Sequence, residues 1–150
     1  MSAGVCFRTD LPNNDVGGPT DVFTIYANTG NGAYDFSNVA VWGSGPTLTI
    51  YLETRLSDDP HAGSVPIVSG RNYWLDLRYV KGGNHSVNVY DGCGPSQTLV
   101  GTISHPAVLN GSVPSYLVVG SAGALTVTPG YNFFYGAIKL DHLYGRPLLP

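Results

Sequence analysis

Seven side chains in this sequence have the types and the spacing to build a binding surface: Tyr51 and Glu53, then Trp74, Asp76 and Arg78, then Asn88 and Tyr90. Within each of these three segments the residues stand two apart, the period that sets side chains on one face of a β-strand. If the three strands are neighbours, that face carries flat aromatics flanked by planar polar groups. Such a surface suits a sugar ring, whose C–H face stacks on Trp or Tyr while its hydroxyls bond to Asp, Asn and Arg. Aromatic-plus-arginine composition marks protein interfaces equally well, so a partner subunit is the competing occupant. The plainest alternative is that Asp76 and Arg78 only solvate a sheet.

These residues need strands to hold them, and the chain supplies strands throughout. Tyr73, Leu75, Leu77 and Tyr79 alternate with Trp74, Asp76, Arg78 and Val80, Gly82-Gly83-Asn84 supplies turn residues, and 87–90 resumes the alternation. This predicts a β-hairpin. A two-residue loop would pair Leu77 with Asn88 and mix apolar with polar on both faces. A three-residue loop pairs Leu77 with Val89 and Tyr79 with Val87, so it is the register expected, with a left-handed Gly or Asn forming a bulge.

Further strands are predicted at 5–8, 22–27, 38–42, 47–54, 98–104, 116–119 and 133–143, with a strand or loop at 126–131. Leu48, Ile50 and Leu52 point inward in the cleanest of them. The stretch from Asp58 to Gly63 reads as part of a long loop leading to the hairpin. Apolar residues nowhere recur at helical spacing over two turns. The fold class expected is all-β, a two-sheet antiparallel sandwich forming a single domain over residues 1–150.

Composition narrows the function. Charged residues are 11% of the chain, against the roughly 25% usual for soluble domains, so Ser, Thr, Asn, Gly and Tyr must cover the surface. A net charge of −3 with two lysines excludes the basic stripe that nucleic acid requires. No apolar run approaches the roughly 18–20 residues of a membrane-spanning helix. The opening MSAGVCFRTD has neither a basic head nor an apolar stretch, so no signal peptide is expected. Three explanations fit: a signal already removed, a piece of a longer protein, or a virion part released by lysis, which the intact Met1 favours along with a bare domain. Without a secretion signal, Cys6 and Cys93 are read as reduced thiols. Were they bonded, closing so long a loop would stabilise by about 4–5 kcal/mol.

Two stretches carry a family resemblance. Residues 70–92, GRNYWLDLRYVKGGNHSVNVYDG, resemble the laminin-G-like pattern in which Gly-x-Trp-Tyr-His-Val leads through a hairpin to Tyr-x-Asp-Gly. The matches are Gly70, Tyr73, Leu75, Leu77, Tyr90, Asp91 and Gly92. Residues 136–148, GAIKLDHLYGRPL, are similar to the closing strand of that family at Gly136, Ile138, Leu143, Tyr144, Arg146 and Leu148. Leu-Val-Gly-Thr at 99–102 follows the Asp-Gly turn as it does there. Asn72 replaces the usual Trp, and Lys139-Leu140 replaces an acidic pair. The resemblance implies a concanavalin A-like jelly roll with its two chain ends close together.

It also implies two chemistries to weigh. Calcium sits at the sandwich rim in many relatives, and Asp58 and Asp59, with Asp10, Asp15 and Asp35, are the donors on offer. They form no dense run, and solvated loop acids explain them. Related glucanases alternate carboxylates along one strand, with acid and nucleophile about 5–5.5 Å apart in retaining enzymes. Glu53 is the only glutamate here, and Asp76 is its only cross-strand candidate, so no enzyme is expected. His61, His85, His105 and His142 lack the spacing of a zinc site, and no cofactor is called for. Gly120-Ser121-Ala122-Gly123 falls short of a nucleophile elbow, and Gly43-Ser44-Gly45 is no phosphate loop.

The function expected is therefore a non-catalytic recognition or adhesion module that binds a glycan or protein surface, extracellularly or on a virion. The alternative is a structural virion or phage component, a decoration, fibre or coat protein docking on copies of itself or on other virion proteins. No nucleic acid and no membrane insertion are expected.

Overall fold

The computed structural model describes residues 2–11, 20–28, 34–44, 47–54, 63–80, 83–105, 113–119 and 133–141. They are β1 (Ser2–Thr9), β2 (Thr20–Asn28), β3 (Tyr34–Ser44), β4 (Thr47–Thr54), β5 (Ser64–Ile67), β6 (Tyr73–Arg78), β7 (His85–Asp91), β8 (Thr98–His105), β9 (Val113–Val119) and β10 (Phe133–Asp141) with their short flanks. Among the described residues there is no helix, and so none long and apolar enough to cross a membrane. Two five-stranded sheets result, ordered β10-β1-β6-β7-β8 and β5-β4-β3-β2-β9, and every strand pair in them is antiparallel.

Two-residue periodicity decides which face is buried. Leu48, Ile50 and Leu52 of β4 are fully buried, as are Leu75 and Leu77 of β6 and Val87 and Val89 of β7. These join Val5 and Phe7 of β1, Phe23 and Ile25 of β2, and Val39 and Val41 of β3 in one hydrophobic cluster drawn from both sheets. Withdrawing each such side chain from water is worth about 1.5–3 kcal/mol. A polar tie joins the sheets as well: the Tyr135 hydroxyl of β10 donates to the Val22 carbonyl of β2 at 3.1 Å.

The hairpin register differs from the one expected. Leu75 pairs with Val89 and Leu77 with Val87, a register slipped by two residues from the one a three-residue connection sets. A slip of two leaves every side chain on its own face, which is why the pattern of burial cannot tell the two registers apart. The turn closes with the Gly83 N–H donating to the Val80 carbonyl at 3.1 Å, and neither Gly83 nor Asn84 takes a left-handed backbone. Left-handed glycines stand instead at Gly63, Gly70 and Gly92.

One described strand went unread. β5 is four residues long with Pro66 inside it, and its alternation of exposed and buried positions is too short to stand out. It lies at a sheet edge, as does β9 with Pro114, and edges are where a sheet tolerates proline. The strand-or-loop reading at 126–131 lies outside the described residues.

β1 and β10 are partners, Ser2 opposite Asp141, so the first and last of the described strands lie side by side. Cys6 and Cys93 form a disulfide, with Cα atoms 5.6 Å apart across a sequence separation of 87. That corrects the reading of two reduced thiols. Sequence showed no pairing geometry, whereas β1 lies against β6 and Gly92 bridges back to Tyr73, which carries Cys93 alongside Cys6.

Candidate functional site

The register lays three rows of residues across the outer face of the first sheet, the face opposite the core. One row runs Ser2, Arg78, Ser86, Ser104; the next Gly4, Asp76, Asn88, Thr102; the third Cys6, Trp74, Tyr90, Leu99. Five of the seven residues singled out by sequence fall on this face. Tyr51 and Glu53 do not. They belong to β4 in the other sheet, where Tyr51 pairs with Ala40 and Ser64 and Glu53 with Asn38. The three strands are not all neighbours, and Glu53 does not stand across a ladder from Asp76.

A second correction concerns exposure. Trp74 and Asp76 share the outward face, yet both have 0% of their surface open to solvent. The cause lies in β1. A methyl group at Gly4 would overlap the indole Cζ2 and come within 2.9 Å of Cε2, so Trp74 rests directly on the Gly4 backbone. Beside it the Cys6–Cys93 bridge fills the next row, and Gly136 of β10 lies against Cys6, where an added Cβ would stand 3.1 Å from the Cys6 Cβ. Small residues, one large ring and a bridge thus close the β1–β6 half of the face. Trp74 offers no stacking platform there.

Exposure rises toward β7 and β8. Arg78, Asn88 and Tyr90 are half-buried, while Thr102, Ser104 and Leu99 are exposed. Here the polar groups are tied together. The Thr102 hydroxyl donates to Asn88 Oδ1 at 2.7 Å, which leaves the Asn88 amide nitrogen to donate to the Tyr90 phenol. Burial pushes the Tyr90 hydroxyl above its ordinary range and the nearby Asp76 charge pushes it further, while the Asn88 hydrogen bond opposes both. The phenol is therefore held neutral and oriented. An exposed ion pair, Arg71 to Asp91 at 3.1 Å, flanks this end of the sheet and contributes little stability.

Sequence reasoning missed Thr102 and Ser104. Their strand was read, but nothing placed it beside β7; a hairpin pairing of 98–104 with the preceding strand would have done so. It missed His85 and His105 as a pair as well. They are cross-strand partners in β7–β8, both buried, with ring centroids 5.0 Å apart. Burial lowers His85 to about 4, and the charge of His105 adds to the effect.

Asp58 and Asp59, the pair named for calcium, lie outside the described residues, as do Asp15, His61 and His142. Asp10 is exposed after β1, and Asp35 lies on β3 paired with Ala27. No three His, Cys, Asp or Glu side chains among the described residues converge on a metal position. Comparison of the chain with family models, curated proteins and solved structures returns no match.

Proposed function

We propose that this chain is a non-catalytic recognition module that binds a hydroxyl-rich ligand, a glycan, on the outer face of β7 and β8. The observation that carries the proposal is the tied set Thr102–Asn88–Tyr90, half open to solvent and already oriented before any ligand arrives. Oriented donors and acceptors cost little to reorganise on binding. Arg78 and Ser104 extend the set along the sheet, and the Tyr90 ring takes the stacking role that Trp74 cannot fill. The finer fold proposed is a concanavalin A-like jelly-roll sandwich, supported by the shared core cluster and by the adjacency of the first and last described strands. An extracellular or virion setting is supported by the Cys6–Cys93 bridge, which persists in oxidising surroundings.

The test is a glycan array followed by NMR titration of the best hit. Shifts should concentrate on Asn88, Tyr90 and Thr102, and Asn88→Ala or Tyr90→Ala should weaken binding at least tenfold with the fold intact. Shifts confined to the second sheet would overturn the assignment. A structural role in a virion or phage is the second reading, favoured by Leu99 and Val100, apolar and exposed on the edge strand β8. Under that reading the purified chain assembles, and Leu99→Ser with Val100→Ser keeps it monomeric.

A further inference from the structure

Two arginines near the outer face of the first sheet are used differently. Arg71, at the rim, is paired with Asp91 at 3.1 Å, whereas Arg78, at the end of β6, forms no ion pair among the described residues. Its side chain is half-buried, and its Nε is shut off from solvent with no acceptor among the described residues. Packing, not a carboxylate, therefore holds this guanidinium in place. Hydroxyls stand beside it in the register. Ser2 of β1 is fully buried, and its Oγ also meets no partner among the described residues; Ser86 of β7 and Ser104 of β8 follow on the more open side. A buried donor without an acceptor costs stability, so stability alone is a poor account of this row. The acids of the face limit where a ligand can lie. Asp76, fully buried, is two residues from Arg78 on the same strand, and Asp141 stands opposite Ser2, two strands and about 9.5 Å from Arg78 in the sheet. The side of Arg78 away from both runs toward Ser86 and Ser104, where exposure rises.

We infer that the ligand of this face is an acidic glycan, a sugar chain bearing carboxylates as uronic acids do: one ring lies on the Asn88–Thr102 row beside Tyr90, and its carboxylate meets Arg78, flanked by the Ser86 and Ser104 hydroxyls. The inference rests on the glycan-binding reading and narrows its ligand class. Neighbouring rows lie about 6.8 Å apart along the strands, a gap that one pyranose ring with its exocyclic carboxylate spans. A guanidinium meets a carboxylate through two parallel N–H···O bonds, which the hydroxymethyl group of a neutral sugar cannot accept in the same way. A net charge of −3 gives the chain no general attraction for acids. The preference therefore resides in Arg78, and one substitution should erase it.

The experiment compares matched oligosaccharides that differ only in carrying glucuronic acid or glucose, titrated into the oxidised chain and followed by NMR. The acid should bind about 10–100-fold more tightly than its neutral twin, with shifts at Arg78, Ser86, Asn88 and Thr102, and added salt should narrow the gap. Arg78→Met keeps the apolar stem and removes the charge, and should bring the two ligands within about twofold of each other. Arg78→Lys keeps the charge without the fork and should fall between. If Arg78→Met does not fold, the wild-type comparison decides alone. Acid and neutral ligands bound alike by the wild type overturn the inference and leave the glycan reading standing. A preference that survives Arg78→Met, or acid-induced shifts away from β7 and β8, overturns it as well. If no glycan of either kind binds, the reading itself falls and the inference falls with it.

Discussion

Replacing Gly4 by Ala adds one methyl group to a place that has no room for it. The new Cβ would overlap Trp74 Cζ2, with Cε2 at 2.9 Å and Cη2 at 3.1 Å. All three atoms belong to a rigid ring that is fully buried, so no flexible tip can swing away. Overpacking of this kind costs about 1–3 kcal/mol, and the tight contact argues for the upper half of that range. Against it, alanine restricts the unfolded chain and returns about 0.4–1 kcal/mol. The net expectation is a loss of about 1.5–2 kcal/mol, read from equilibrium urea denaturation as a lower midpoint at unchanged slope. A cycle with Trp74→Leu isolates the cause. That variant alone leaves a cavity, and the alanine methyl partly refills it, so the two losses should fall short of additive by about 1 kcal/mol. A Gly4→Ala chain within about 0.5 kcal/mol of wild type, or a strictly additive pair, would refute the reasoning and put the indole back on the open face.

Four further outcomes follow from the same structure. Reducing Cys6–Cys93, or replacing both by Ser, should lower stability by about 4–5 kcal/mol, since the bridge closes a loop of 87 residues; denaturation with and without reductant measures it, and equal midpoints would mean that the bridge is not formed. Gly92→Ala should cost about 1–2 kcal/mol through the backbone alone, because φ is +90° there while the nearest atom to an added Cβ lies 3.9 Å away. Tyr73→Phe removes the hydroxyl that accepts the Val68 N–H at 2.9 Å and should cost about 1 kcal/mol in the same assay. In a ring-labelled NMR titration Tyr90 should ionise above the ordinary value of about 10. Asp76→Asn should bring it back toward that value and Asn88→Ala should raise it further, and the opposite order would break the proposed network.

Much of the fold was legible because burial follows period two. The inward sets 48/50/52 and 75/77/79 could be read from apolar alternation, and both are in the core. The Gly70 and Gly92 of the family-like stretch were matched as motif residues, and each has a positive φ that a side chain resists. What alternation cannot encode is which strands become neighbours. The face assembled from Tyr51, Trp74 and Asn88 failed on that point, since β4 and β6 belong to different sheets. Nor does it report what lies over a face. Trp74 has the outward parity of a platform residue, but a glycine two strand positions away on β1 gives it a seat, and parity alone says nothing of that. The disulfide was illegible for the same reason: its partners meet only once β1 is laid against β6. His85 and His105, twenty residues apart, look unrelated until a ladder sets them opposite one another.

The seating of β1 between β10 and β6 has a mechanical consequence. Because Ser2 and Asp141 lie opposite each other, tension applied at these two ends would peel β1 from β10 one hydrogen bond after another rather than shear the whole ladder at once. Such a zipper yields under small loads. The Cys6–Cys93 bridge then limits the damage, since everything between its two sulfurs, β2 to β7 included, is excluded from the stretched contour. In the oxidised chain the force runs across that bond, and only the segment beyond Cys93 and the first few residues can lengthen. The module would therefore give early, extend briefly and stop.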